Sequence, residues 1–326
     1  MKINIASNEI IHFIGIGGIG MSGLAQIMKN MGFLIQGSDL SKNKNTERLS
    51  KLGIKVYYGH NQKNLKKATL IVISSAIKNN NKELKLARQK KIPIFKRGDM
   101  LANIVALKKN IIITGSHGKT TTTSLIANIL VEAGLDPTVI NGGVINSLKN
   151  NAQLGKGEWA VIESDESDGS FLKLPITYSI VTNIDKEHLD HYGSFKKLKK
   201  SFSYFIEKTP SFGKSLICID NNNLKSLLSN CKTNNYLTYG FNRNANYQIT
   251  NVKKEINYSI FDLKLNFTEN KNSKIKNIKV NLIGDHNISN AAASIAISLN
   301  LGININKIKK ALTKFLGIQR RFTKVF

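Results

Sequence analysis

The sequence predicts an α/β protein of two successive domains built on parallel sheets, the second carrying an added region of antiparallel hairpins. Three observations lead there. Two glycine-rich turns, Gly15 to Gly20 and Gly115 to Gly118, each follow a short apolar run and open a helix-compatible stretch. Around them, apolar runs alternate with helical patterns, the order that places strands in a doubly wound parallel sheet. From Ala245 to Leu282 the pattern changes to short alternating runs separated by Asn and Lys.

The first domain, residues 1–108, opens on Ile11-His12-Phe13-Ile14, then Gly15-Ile16-Gly17-Gly18-Ile19-Gly20 and a helical stretch from Met21 to Met31. Gly15, Gly17 and Gly20 match the Rossmann-like spacing, in which glycine permits a tight turn, close approach of a diphosphate to backbone N–H groups, and close helix–strand packing. A second strand, Phe33 to Gln36, leads to Asp39, nineteen residues after Gly20, where a carboxylate can bind a ribose. Taken alone the turn admits NAD, since this spacing serves several diphosphates. A helix at 45–52, strands at 56–58 and 70–73, a helix at 83–90 and the strand Ile94-Phe95 complete the domain. Ser74 and Ser75 follow a strand's C-terminal end, where open α/β sheets bind ligands, although either serine alone reads as a helix cap. His60 and Arg97 take comparable loop positions.

A boundary falls at Lys108-Lys109-Asn110, and the second domain, residues 109–315, begins Ile111-Ile112-Ile113-Thr114-Gly115-Ser116-His117-Gly118-Lys119-Thr120-Thr121. This is a P-loop ATPase-type site for a nucleoside triphosphate. Gly115 and Gly118 let N–H groups turn toward phosphate oxygens, Lys119 adds a point charge, and the helix presents its positive end. Thr120 or Thr121 then supplies a hydroxyl to magnesium. The loop is short, with Ile113 standing five before Gly118 where the usual pattern has glycine.

Two further strands, Trp159–Ile162 and Tyr178–Thr182, end in polar residues beside that loop. Glu163 follows four apolar residues there, placed to hold magnesium, and His188 is placed for a second metal or phosphate contact. Asp165, Glu166 and Asp168 read as solvated loop charges, and zinc on His188 and His191 lacks a third ligand. Phe195, Leu198, Phe202, Phe205 and Ile206 recur at helical spacing and form one buried face. Gly284 to Asn290 leads into an alanine-rich helix, Ala291–Leu299, and aims Asn287 at a base or ribose; a last helix spans 306–315.

At 326 residues with 41% hydrophobic and 21% charged content, the chain can bury two cores without metals or disulfides. Its two cysteines stand far from other zinc ligands and fit a reduced, cytoplasmic protein. No apolar run approaches a bilayer span and no signal peptide is evident, so neither membrane nor secretion is expected. The net charge of +27 suggests nucleic acid at first sight. However, only six of the 48 basic residues are Arg and the lysines are scattered, so no nucleic-acid partner is expected.

These segments together resemble the Mur ligase family over essentially the whole chain. The resemblance rests on Gly15 to Gly23, Thr114 to Thr123, Glu163 to Phe171, Thr182 to His188, Gly284 to Asn290 and Gly317 to Phe322. It explains the short phosphate loop, Thr-Gly-Ser/Thr-His-Gly-Lys-Thr being that family's own form. It implies an ATP-dependent ligase of peptidoglycan precursor synthesis that joins L-alanine to UDP-N-acetylmuramate through an acyl phosphate, the murein tripeptide ligase being the second choice. It further implies UDP on Gly15, Gly17, Gly18, Gly20, Asp39, His60, Ser74 and Arg97 in place of NAD. ATP would lie on Gly115, Ser116, His117, Gly118, Lys119, Thr120 and Thr121, with Asn287 at adenine. Magnesium would lie at Thr120, Glu163 and His188, with Arg321 as a phosphate contact and Lys119, Glu163, His188 and Arg321 as the catalytic set. The family carries a third domain that closes over ATP, and residues 316–326 correspond to its start. The expectation is therefore nucleotide binding with little turnover unless a separate polypeptide supplies that domain; a binding-only chain and a nicotinamide dehydrogenase are the competing classes.

Overall fold

The computed structural model describes residues 9–145, 150–267 and 273–317. The chain divides into two compact units, one from residues up to 107 together with 151–154, the other from 108–150 and 155 onward. Among the described residues no helix is long and apolar enough to cross a membrane.

The first unit runs β1 (Ile10–Ile14), α1 (Ile19–Asn30), β2 (Leu34–Asp39), α2 (Lys44–Lys51), β3 (Lys55–Tyr58), β4 (Leu70–Ile73), α3 (Lys82–Gln89), β5 (Ile94–Lys96) and α4 (Arg97–Val105). Its five strands are all parallel, in the order β3-β2-β1-β4-β5. Both faces of such a sheet are covered, which is why Ile11, Phe13 and Ile14 are buried in succession. The register matters for function. Ile14 pairs with Ser38 on β2 and with Ile73 on β4, so Gly15, Asp39 and Ser74 emerge at one edge. Asn43 caps α2 through Asn45 and Thr46, and the Thr46 side chain answers the backbone of Asn43, a reciprocal cap that fixes the chain just after Asp39. Arg97 was expected in a loop; it opens α4 instead, a helix held by buried Met100, Leu101 and Val105.

From Lys109 onward the chain runs β6 (Lys109–Thr114), α5 (Lys119–Glu132), β7 (Thr138–Ile145), β8 (Asn150–Gln153), β9 (Trp159–Glu163), β10 (Tyr178–Val181), α6 (Leu189–Tyr192), α7 (Phe195–Glu207), β11 (Ser215–Cys218), α8 (Asn222–Leu228), β12 (Tyr236–Gly240), β13 (Tyr247–Lys254), β14 (Ser259–Leu265), β15 (Lys274–Val280), α9 (Asp285–Asn300) and α10 (Ile305–Thr313). The sheet order is β15-β14-β13-β12-β11-β10-β6-β9-β7-β8. Strands β6, β9, β10, β11 and β12 pair in parallel, and β13 to β15 form the antiparallel hairpins expected from the change of pattern. Thr114 pairs with Val181 and Ile113 with Glu163, so the phosphate loop, Thr182 and Glu163 share one edge. Phe171 packs between Phe202 and Phe205 of α7, with ring centroids 5.2 and 5.1 Å away. All three rings are fully buried, a contribution of roughly 2 kcal/mol each, and they pin the segment that follows Glu163.

Candidate functional site

In the first unit the structure gathers the residues expected to meet a diphosphate. Gly15 takes φ +84°, and its N–H and that of Ile16 both donate to the Ser38 carbonyl, at 2.8 and 3.0 Å. A Cβ on Gly15 would stand 3.2 Å from that of Ser74. Gly17 donates its N–H to Asp39 Oδ2 at 2.7 Å, so Asp39 ties down the turn. Gly20 lies against the Arg97 side chain, whose Nη1 would be 3.3 Å from an added Cβ, placing a guanidinium beside the first turn of α1. Ser74 Oγ accepts the Ala76 N–H at 3.3 Å and closes a turn; it caps no helix, since α3 begins at Lys82 with Asn81 as its cap. His60 follows β3, with Nδ1 2.9 Å from Ser38 Oγ.

In the second unit the loop between β6 and α5 is moored to the end of β10. Ser116 N–H donates to the Asn183 carbonyl (3.2 Å) and His117 N–H to Asn183 Oδ1 (2.7 Å), while Thr182 Oγ1 donates to the His117 carbonyl (2.6 Å). Gly115 and Gly118 have positive φ, and a Cβ on either would strike Thr182 Oγ1 or Asn290 Oδ1 within 2.6 Å. Lys119 Nζ donates to the carbonyls of Gly115 (2.5 Å) and Ser116 (3.4 Å) and to Glu166 Oε2 (2.8 Å). Glu166 is therefore no solvated charge: it is 1% exposed, and Asp165 alone of the acidic run keeps the exposed character expected of it. The Tyr192 hydroxyl donates to the Glu166 carbonyl and holds this segment against α6.

Glu163 is fixed from two sides. Thr120 Oγ1 donates to its Oε1 at 3.0 Å and Gly142 N–H to its Oε2 at 2.6 Å. A Cβ at Gly142 would lie 2.4 Å from Oε1, so only glycine allows this approach. Although Glu163 keeps some exposed surface, the protein around its carboxylate pushes its pKa up, outweighing the Gly142 and Thr120 hydrogen bonds and nearby Lys119. Burial likewise raises Glu166 despite Lys119. Among the described residues Glu166 Oε1 is buried without a hydrogen-bond partner, and His188 Nε2 stands 3.8 Å from it. Asp165, Glu166 and His188 each place a ligand atom within 4.8 Å of the others. Negative charge in excess of its donors, carried on hard oxygens, fits a divalent cation such as magnesium. His188 thus joins Asp165 and Glu166, Thr120 joins Glu163, and Thr121 is buried.

A cavity of about 790 Å³ opens beside the loop, lined by Gly118, Asn183, Cys218, Tyr239, Phe241, His286, Ser289 and Asn290 among others, a size that takes a nucleoside. Asn287 lies in the first turn of α9, but its side chain donates to the Ile283 carbonyl at 2.8 Å; His286 and Asn290 line the cavity. Arg321 lies outside the described residues.

The profile of the Mur ligase family, catalytic domain, matches residues 10–109, and that of the Mur ligase middle domain matches residues 113–298. The chain belongs to the Mur ligase family. It is 60% identical to the UDP-N-acetylmuramate–L-alanine ligase of Pelagibacter ubique over its whole length, covering 70% of that protein. Among solved structures, the UDP-N-acetylmuramate-alanine ligase of Thermotoga maritima superposes with a TM-score of 0.86 at 29% identity, over 97% of this chain and 70% of that one. The UDP-N-acetylmuramate:L-alanyl-gamma-D-glutamyl-meso-diaminopimelate ligase of Neisseria meningitides follows with a TM-score of 0.84 at 27% identity, over 96% and 99%. Against this Mur ligase frame, sequence reasoning missed Glu166, Gly142 and Tyr192. Glu166 sits in a charge run that looks solvated, and Gly142 belongs to a plain Gly-Gly pair. In neither case does the local sequence signal the tertiary contact.

Proposed function

We propose that the chain acts as an ATP-dependent ligase that joins L-alanine to the lactyl carboxylate of UDP-N-acetylmuramate in peptidoglycan precursor synthesis. The observation that carries this reading is the phosphate loop itself, where Lys119 and Thr120 each meet a carboxylate of raised pKa, Glu166 and Glu163, beside a nucleoside-sized cavity. The 60% identity to an alanine-adding relative supports alanine over the tripeptide, whose ligase matches at 27%.

In this reading the Gly15–Gly20 turn and Arg97 take the diphosphate of the sugar nucleotide, and the first-turn amides of α5 take the ATP phosphates. Lys119 exchanges the carbonyls of Gly115 and Ser116 for phosphate oxygens. The substrate carboxylate attacks the γ-phosphorus and ADP leaves; the alanine amine then attacks the acyl phosphate, and phosphate departs as the amide forms. Magnesium, held by Thr120 and Glu163 and by the set around His188, would neutralise phosphate charge when bound. The protein supplies position and charge, and no side chain acts as a nucleophile. The chain incubated with ATP, magnesium and UDP-N-acetylmuramate in hydroxylamine should release ADP and a sugar-nucleotide hydroxamate in equal amounts. ADP release that ignores the sugar nucleotide, with no hydroxamate, would refute the ligase reading.

A further inference from the structure

Within the first unit lies a polar cluster that the reaction above leaves unused. Glu83, near the start of α3, is completely buried. Its Oε1 accepts from Asn64 Nδ2 at 2.6 Å and its Oε2 from Ser38 Oγ at 2.5 Å, with His60 Nδ1 at 3.3 Å and His12 Nε2 at 3.5 Å.

These contacts fix where the protons sit. Gln36 Nε2 gives one hydrogen to the Asn64 carbonyl (3.0 Å) and turns the other to His12 Nδ1 (3.3 Å), so His12 accepts at Nδ1 and its neutral ring carries a proton on Nε2. Ser38 has a single hydroxyl hydrogen, committed to Glu83, so its oxygen only accepts from His60 Nδ1, 2.9 Å away. The Glu83 carboxylate also only accepts. His60 Nδ1 therefore bears a proton, and whenever the ring carries only one proton Nε2 is the acceptor. Burial alone would raise the pKa of Glu83; His12, Ser38 and Asn64 outweigh it and hold the group below the ordinary carboxylate value, an acceptor for the Ser38 and Asn64 bonds.

His60 also stands next to the glycine turn. Gly59 N–H donates to the Asp39 carbonyl at 2.7 Å, and the Ser38 that touches His60 accepts the N–H groups of Gly15 and Ile16. The His60 side chain remains 12% exposed.

We propose that Glu83 is a positioning residue for the sugar nucleotide: with Ser38 it holds His60 in the Nδ1-protonated form, so that Nε2 accepts from an N–H or O–H of the UDP-sugar. This role rests on the first unit binding a UDP-sugar, as proposed above. Free histidine exchanges between two tautomers, and only one offers an acceptor at Nε2.

Two measurements test it. Nitrogen NMR of the histidine-labelled chain at about pH 8, where an unperturbed ring is neutral, should show Nδ1 protonated and Nε2 bare at His60. A proton on Nε2 overturns the proposal, whether or not any variant folds. Calorimetric titration with UDP-N-acetylmuramate should show Glu83→Gln weakening binding about tenfold, the worth of one charge-assisted hydrogen bond. In a His60→Ala background the same change should matter less than roughly twofold, because the effect passes through the missing ring. An equal loss in both backgrounds would assign Glu83 to the fold alone. A parent chain that binds no UDP-N-acetylmuramate would instead sink the reading of the site, and the His60 tautomer would still decide what Glu83 does.

Discussion

Glu83 in the first unit and Glu166 in the second are both almost fully removed from water, yet their pKa values move in opposite directions. Burial acts on the two carboxylates alike. What differs is the supply of donors and positive charge: Glu83 has His12 beside it and receives Ser38 and Asn64 on separate oxygens, whereas Glu166 receives Lys119 on Oε2 and leaves Oε1 unpartnered among the described residues. Glu163, with a hydroxyl and one amide, sides with Glu166. The satisfied carboxylate sets geometry in the folded chain, and the under-supplied pair marks where positive charge is to be added by ligand chemistry.

The largest effect should come from cutting the one strong contact that Glu166 has. Lys119→Met should abolish hydroxamate formation, by about a thousandfold or more, since its charge is the loop's contribution to the transferring phosphoryl group. It also strands a buried carboxylate, at a cost of about 3 kcal/mol in urea unfolding at neutral pH. Glu166 is already raised, so the deficit should shrink as pH falls and it takes up a proton. Adding Glu166→Gln should restore stability without activity. If Lys119→Met were fully stable at neutral pH, the contrast with Glu83 would collapse.

Glu83→Gln should cost about 2 kcal/mol at neutral pH, the loss of charge-assisted bonds in a buried site. The sign with pH is set by its lowered value. A carboxylate with a depressed folded pKa stabilises above its unfolded pKa, and that stability is lost as pH falls through the folded pKa. Parent and variant should therefore converge in acid. A gap that widens toward low pH would contradict the proton placement around Ser38 and His60.

Glu163→Gln should do the reverse, on a smaller scale. With a raised folded pKa, the ionised Glu163 favours the fold least above that value, so the variant should gain on the parent as pH rises, by about 1 kcal/mol. Manganese paramagnetic resonance, used as a binding readout without turnover, should show weaker ion uptake by the variant. A variant less stable than the parent with unchanged ion binding would make Glu163 a structural partner of Thr120 and Gly142.

The parallel strands of both sheets were legible because apolar runs and glycine turns are local signals, and β4 was expected at 70–73, as observed. Helix α4 was not, since Arg97 reads as a loop position until Met100 and Leu101 find a core to enter. The carboxylates were hidden for a related reason. Glu83 looks like an ordinary acid in the first turn of a helix, and Glu166 is set apart from exposed Asp165 by tertiary contacts, Lys119 on its Oε2 and the Tyr192 hydroxyl on its carbonyl. Charge is written in the sequence, whereas the number of donors that reach it depends on which segments meet.

The smallest effect on the fold should come at Gly18, and it sharpens the difference between residues that shape a site and residues that leave it open. Gly17 cannot take a side chain without striking Asn43, Asp39 and Thr46, all within 2.9 Å of an added Cβ. Gly18 has φ −60° and ψ 146°, ordinary for any residue, and an added Cβ would come no closer than 3.5 Å to another atom. The fold therefore asks nothing of glycine at this position. Gly18→Ala should shift stability by less than about 0.5 kcal/mol. If the diphosphate approaches the backbone here, the methyl group lies in its path, and affinity for UDP-N-acetylmuramate should fall by about tenfold or more while ATP binding at the other loop is unchanged. An alanine variant that binds the sugar nucleotide as the parent does would move the diphosphate away from Gly18 and toward Gly20 and Arg97.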